Sequence, residues 1–283
     1  MTNHHQFAWT AIVAFSVLWV LTVPGCSQEW HKKYGWNSEV YFDDPDVVAL
    51  CHAIEARNVA EVERLAKAGA NINAIGKDNV TPLLWAFPGE NEPCFRRLLE
   101  LGADPNVMFD GHKIPPRGTF WRYDSVTHLS LRTTRRSYFE LVFQHGGDPN
   151  LKGGALGYES PITTLVQNGS PNRKDEIARL LNLGADIHER NHAGCEPVVS
   201  AVNWFGQYDL TLWLLKNGAN PCSQVKGQRR RLIHFVVREE KRARTSPEKI
   251  QEDYASLVTY LEEQGESIEA AKKELEEWGI PYE

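Results

Sequence analysis

An excess of basic residues is missing from this 283-residue chain: 31 lysines and arginines stand against 37 aspartates and glutamates, a net charge of −6. Nucleic-acid binders draw much of their affinity from cations that neutralise phosphates, so no nucleic-acid partner is expected. Catalytic signatures are missing as well. The chain carries no His-Glu-x-x-His metal helix, no nucleophile elbow, no phosphate loop and no paired-cysteine zinc pattern, which removes the usual routes to metal-assisted, acyl-transfer and phosphoryl-transfer chemistry. His188 and His192 are four apart, but they follow Gly184 in a segment expected to be a hairpin, where that spacing does not put two imidazoles on one helix face. No metal, cofactor or small-molecule substrate is expected, and the chain reads as non-enzymatic. The five cysteines also lack metal-type spacing. Cys51 and Cys94 fall at helical positions suited to buried thiols, whereas Cys195 and Cys222 lie near successive loops, where a disulfide and two free thiols are both open. Finally, no charged residue precedes Glu29, which sets the first residues apart from a solvated domain.

What recurs is a short phrase. Gly-Ala-Asn or Gly-Ala-Asp closes a leucine-rich stretch at Gly69, Gly102, Gly184 and Gly218, with Gly-Gly-Asp at Gly146, giving intervals of 33, 44, 38 and 34 residues. Before the second copy the chain runs Asn79-Val80-Thr81-Pro82-Leu83-Leu84-Trp85-Ala86, then from Cys94 through Leu98-Leu99 to Gly102-Ala103-Asp104-Pro105-Asn106. Thr81 suits a helix cap, Pro82 a first helical position that needs no N–H, and Gly102 a left-handed stop. Phrase and period together resemble the ankyrin repeat, whose unit is about 33 residues. The resemblance implies an all-α ankyrin-repeat solenoid of about five to six helix-turn-helix units with hairpin loops, the repeats occupying residues 45–229. Weaker copies begin at Ser160-Pro161 and Glu196-Pro197, and the unit containing His128 lacks the proline. Residues 230–283 read as a C-terminal capping repeat and helix, with helices near Leu232 to Arg242 and Ile250 to Gln264.

Residues 1–25 are a different device. From Phe7 to Val23 lie 17 positions dominated by apolar side chains, ending in Leu21-Thr22-Val23-Pro24-Gly25-Cys26. That ending resembles the bacterial lipoprotein signal, which implies cleavage before Cys26, lipidation of Cys26 and membrane attachment through the lipid. The protein would then be anchored in the bacterial cell envelope and face the periplasm, with Ser27 favouring the outer membrane over the inner. The leader has only His4 and His5 where lysine or arginine is usual, and Pro24 is uncommon in such a signal, so an uncleaved anchor and a cleaved soluble product remain open. Residues 26–44 form a stem or N-cap, whose Trp30, Tyr34, Trp36, Tyr41 and Phe42 suit the covering of an open stack end.

The longest interval, from Gly102 to Gly146, marks the candidate binding element. Its extra residues fall after Asn106, where the hairpin projects, and include Phe109, Pro115-Pro116, Phe120, Trp121, Arg122 and Tyr123. Proline stiffens such a finger, while Trp, Tyr and Arg are the side chains that dominate interface energies. The same aromatics could instead fold back between neighbouring helices. Trp204, at a turn, is a further candidate, and Arg231 and Arg238 could meet an acidic partner from the first helix of the cap. Among bacterial ankyrin lipoproteins, some resemble immunity proteins that neutralise effectors of type VI secretion, including lipases. That resemblance implies a protein partner, a secreted phospholipase effector, neutralised by occlusion. A chaperone or scaffold for a resident periplasmic enzyme, similar to ankyrin proteins that accompany some catalases, is the alternative.

Overall fold

The computed structural model describes residues 30–111, 122–154, 157–167 and 173–282. Cap chemistry sets the pattern from the first unit onward. Asp44 accepts from the Asp46 N–H, Thr81 from Leu84 and Ser125 from His128, each satisfying a donor that the first turn leaves free. Two short helices, α1 (Trp30–Tyr34) and α2 (Ser38–Tyr41), come first. Paired helices follow: α3 (Pro45–Glu55) with α4 (Val59–Lys67), α5 (Pro82–Ala86) with α6 (Glu92–Glu100), and α7 (Val126–Arg132) with α8 (Arg136–Gln144). The series continues with α9 (Pro161–Gln167) and α10 (Lys174–Asn182), then α11 (Pro197–Phe205) and α12 (Tyr208–Lys216). A last group comprises α13 (Leu232–Arg238), α14 (Glu240–Arg244), α15 (Glu248–Glu263) and α16 (Ile268–Glu277). Between pairs run hairpins held by isolated bridges and turn bonds; among the described residues no longer strand forms. The architecture is an all-α ankyrin-repeat solenoid.

First helices stack on first helices, as α7 on α9, α9 on α11 and α11 on α13, and second helices on second helices, as α4 on α6 and α12 on α15. The first helices are almost wholly buried: residues 126–131 and 232–237 have no exposed member. Burying a side chain the size of Leu83, Phe95 or Ile162, all fully covered, contributes about 1.5–3 kcal/mol each, and a stack multiplies that gain only between neighbours.

The recurring glycine phrase performs two jobs. Gly102 has φ +93°, a conformation cheap only for glycine, and it turns the chain so that the Ala103 N–H reaches back to the Leu98 carbonyl at 2.9 Å. The same backward bond forms at Ala70, Gly147, Ala185 and Ala219, and again at Glu266 after Gly265. The second job falls to the asparagine four residues past the glycine. Asn73 donates to the Gly102 carbonyl (3.0 Å) and accepts from the Asp104 N–H (2.8 Å). Asn106 does the same to Gly146 and Asp148, and Asn150 to Gly184 and Asp186. Each amide therefore ties one repeat to the next.

Both ends are covered from within the chain. At the N-terminal end His31 stacks on Trp85 with ring centroids 4.7 Å apart and donates from Nε2 to the Trp85 carbonyl at 2.7 Å, while Trp36, Tyr41 and Phe42 close around the same indole. At the other end α16 packs on α13, where the first helix of another unit would lie. The helix expected from Leu232 to Arg242 is instead divided: α13 stops at Arg238 and α14 restarts after Glu239, turning the chain onto α15. No helix among the described residues is long and apolar enough to cross a membrane.

Candidate partner-binding surface

Residues 112–121, the expected finger, lie outside the described residues, and the backbone on either side of them is fixed. Phe109 donates its N–H to the Asp124 carbonyl (2.7 Å) and accepts from the Tyr123 N–H (2.8 Å), so the two limbs are paired where they depart. Asp110 adds an ion pair, its Oδ1 lying 2.7 Å from Arg122 Nε. The root is also bound to both neighbouring hairpins: Asp110 donates to the Asp78 carbonyl at 2.9 Å, and Gly154 donates to that of Tyr123 at 2.9 Å. Beneath it Asp124 is buried and ion-paired to Arg132, which anchors the returning limb to α7.

Phe109, a candidate contact, is buried. Its ring is 3% exposed and lies under the backbone of Gly111, where an added Cβ would come within 2.1 Å of Cζ. The apolar ring serves as the floor of the root because a benzyl group beside a turn gains more from burial than from solvent. Arg122 and Tyr123 stand at the surface. The Arg122 guanidinium sits 5.0 Å from the Tyr123 ring centre, and Tyr123 is 41% exposed with its ring leaning on Gly157 of the next hairpin. Its φ of +70° is uncommon for a side chain of that size and fixes the direction in which the ring points. Phe120, Trp121 and Cys26 lie outside the described residues, as does the side chain of Trp204, which belongs to the end of α11.

Arg231 is already paired within the chain. A contact with an acidic partner was expected for it; within the chain, Glu274 of α16 lies 3.1 Å and Glu266, just before α16, 3.5 Å from Arg231 Nη2. His234 joins the cluster, accepting the Arg231 N–H at Nδ1 (2.9 Å) and donating from Nε2 to Glu274 (2.7 Å). The acidic C-terminal helix was thus the missing half of a reading confined to α13. Arg238 is exposed and meets no carboxylate within 4.0 Å among the described residues.

Among the described residues, His128, His188 and His192 bond within the chain and Cys51, Cys94, Cys195 and Cys222 form no disulfide. His128 accepts from Ser125 Oγ at Nδ1 (2.9 Å), and its Nε2 donates to the carbonyls of Glu159 (3.1 Å) and Leu151 (3.2 Å); burial pushes its pKa down, opposed by these two carbonyl bonds. His188 and His192 flank Glu189 in a turn and face different carboxylates, Glu196 and Glu159, each at 3.3 Å. No group of three or more potential ligands among the described residues is placed to hold a metal ion. Cys51, Cys94, Cys195 and Cys222 are all free thiols; Cys195 is buried with Sγ 4.0 Å from the Ala193 carbonyl, and hydrogen bonding to Glu266 raises the pKa of Cys222.

Sequence reasoning passed over the amide ladder, although the signal was there. Asn73, Asn106 and Asn150 each stand four residues after a phrase glycine, and His188 and Cys222 break that series where the ladder ends.

No protein-family model matches the chain. It is 28% identical over 150 residues to a mitochondrial disaggregase of Bos taurus, a match that takes in 53% of this chain and only 20% of that protein. Among solved structures, the ankyrin repeat domain of Bcl-3, a member of the IkappaB protein family, superposes with a TM-score of 0.56 at 18% identity. That match covers 77% of this chain and 86% of that one. A likeness at this identity fixes the fold.

Proposed function

We propose that this chain is a non-catalytic, lipid-anchored protein of the bacterial envelope that neutralises an antibacterial effector of the lipase type by occlusion, as immunity proteins of type VI secretion do. The observation that carries the proposal is the root of the finger. Paired backbone bonds at Phe109, the Asp110–Arg122 ion pair and ties to both neighbouring hairpins fix the backbone that leads into and out of residues 112–121, the expected finger. A fixed base lowers the entropy that a loop loses on binding, and blocking an active-site mouth requires no chemistry from the blocker. Residues 1–25 and Cys26 supply the compartment, since an effector acting on envelope lipids must be met outside the cytoplasm.

Co-expression with effectors encoded beside this chain tests the proposal. Protection from toxicity and co-purification of the pair are expected; unchanged toxicity with no complex would sink it. The likeness to part of a disaggregase favours a second reading, a chaperone or scaffold for a periplasmic client, in which deletion lowers the client's activity and sibling cells remain harmless.

A further inference from the structure

We infer that the cap formed by α1 and α2 lies on the membrane that holds the chain's lipid, with α1 as the contact against anionic lipid headgroups. This rests on the lipid-anchor reading and adds which face of the protein meets the bilayer. Reach comes first. A residue spans at most about 3.6 Å, so Trp30, four residues after Cys26, stays within about 14 Å of the acylated residue. The polar zone on each side of a bilayer is about 5–8 Å deep, so α1 begins within that zone or directly above it. The tether is too short for the end that carries α1 to leave the surface.

The composition of α1 fits that position. Trp30 and Tyr34 are half-buried, their ring centres 5.0 Å apart, so each packs on the core with one side and keeps the other in solvent. Such amphipathic rings collect at the headgroup level of a bilayer. Lys32 and Lys33, between them, are exposed, and among the described residues neither lies within 4.0 Å of a carboxylate; Lys33 Nζ stands 5.3 Å from the Tyr34 ring centre. α1 itself holds no acid: Glu39, Asp43, Asp44 and Asp46 all follow it, and Asp44 is committed to the cap of α3. Two free cations flanked by interfacial aromatics, at the end of a short tether, select lipid phosphate. Val40 of α2, 59% exposed, adds an apolar edge to the same cap. The finger root lies within two repeats of this contact, about 20 Å at about 10 Å per packed layer, which holds a lipase-type partner beside the lipid it attacks.

The test is quenching by spin-labelled lipid of a nitrobenzoxadiazole fluorophore on the full chain, expressed with its leader and reconstituted into vesicles of phosphatidylethanolamine and phosphatidylglycerol. The fluorophore is attached through Val40→Cys or, as a control in the C-terminal cap, Ile250→Cys, both at exposed positions, in a Cys222→Ser background whose other described thiols are buried. Quenching at position 40 is expected to exceed that at position 250 at least about threefold, and Lys32→Glu/Lys33→Glu is expected to remove the difference. Should the label disturb the cap, hydrogen exchange of the unlabelled chain in the same vesicles carries the test: amides of residues 30–41 exchange at least about fivefold more slowly than in the double variant. Equal quenching at the two positions, or a difference that survives the double variant, would overturn the inference. The mass of the N-terminal peptide separates the two readings. A lipid on Cys26 with equal quenching sinks the membrane contact alone, whereas an unmodified Cys26 sinks the lipid anchor and the contact with it.

Discussion

Asp110 and Arg122 clasp the two limbs of the finger, with Oδ1 of the first 2.7 Å from Nε of the second. Their side chains are about half exposed, 51% and 45%, so the pair sits in a screened environment where such contacts contribute under about 1 kcal/mol. The clasp therefore orients the finger more than it stabilises the fold. Asp110→Ala is expected to change the urea-unfolding free energy by less than about 1 kcal/mol while weakening partner affinity, because a freer root raises the entropy lost on docking. Equilibrium denaturation and binding of the same sample check both halves.

Phe109 should behave in the opposite way. As a buried ring beneath Gly111, its truncation in Phe109→Ala removes packing and leaves a cavity, with an expected loss of about 3–5 kcal/mol. A surface contact residue would cost almost nothing, so the urea midpoint decides between floor and contact.

The amide ladder makes a third expectation. Asn106 donates to the Gly146 carbonyl (2.8 Å) and accepts from both the Asp148 N–H (2.9 Å) and Thr127 Oγ1 (2.8 Å). Asn106→Ala deprives three groups of a partner at one junction, and a loss of about 1–3 kcal/mol is expected. Hydrogen exchange should localise the loosening to the two repeats that Asn106 joins.

The contrast between these residues explains what could be read in advance. The glycine phrase and the leucines before it announce repeat number and helix order because their periodicity is local. The pairing of Arg231 was not legible because its carboxylates, Glu274 in α16 and Glu266 just before it, lie more than thirty residues away in sequence. The burial of Phe109 was not legible because its place in a loop says nothing of the packing under Gly111.

Stability should fall on acidification. Burial lowers the pKa of His31, opposed by its bond to the Trp85 carbonyl and the charge of Glu55, and burial also lowers that of His128. The unfolded chain binds these protons near an ordinary pH of about 6.5 and the folded chain only at lower pH. Their contribution is thus complete above about pH 6.5 and is lost as pH falls through the depressed folded values. Urea unfolding between pH 8 and pH 5 should show the decline, and His31→Gln should flatten part of it.

The central claim is that the finger captures a toxic partner. Cells lacking this chain, mixed with effector-producing siblings, are complemented with the wild-type chain or with Phe120→Ala/Trp121→Ala/Arg122→Ala/Tyr123→Ala, both verified as folded and at equal abundance. The account predicts survival with the wild type and killing with the variant. Equal protection by the two chains would contradict it.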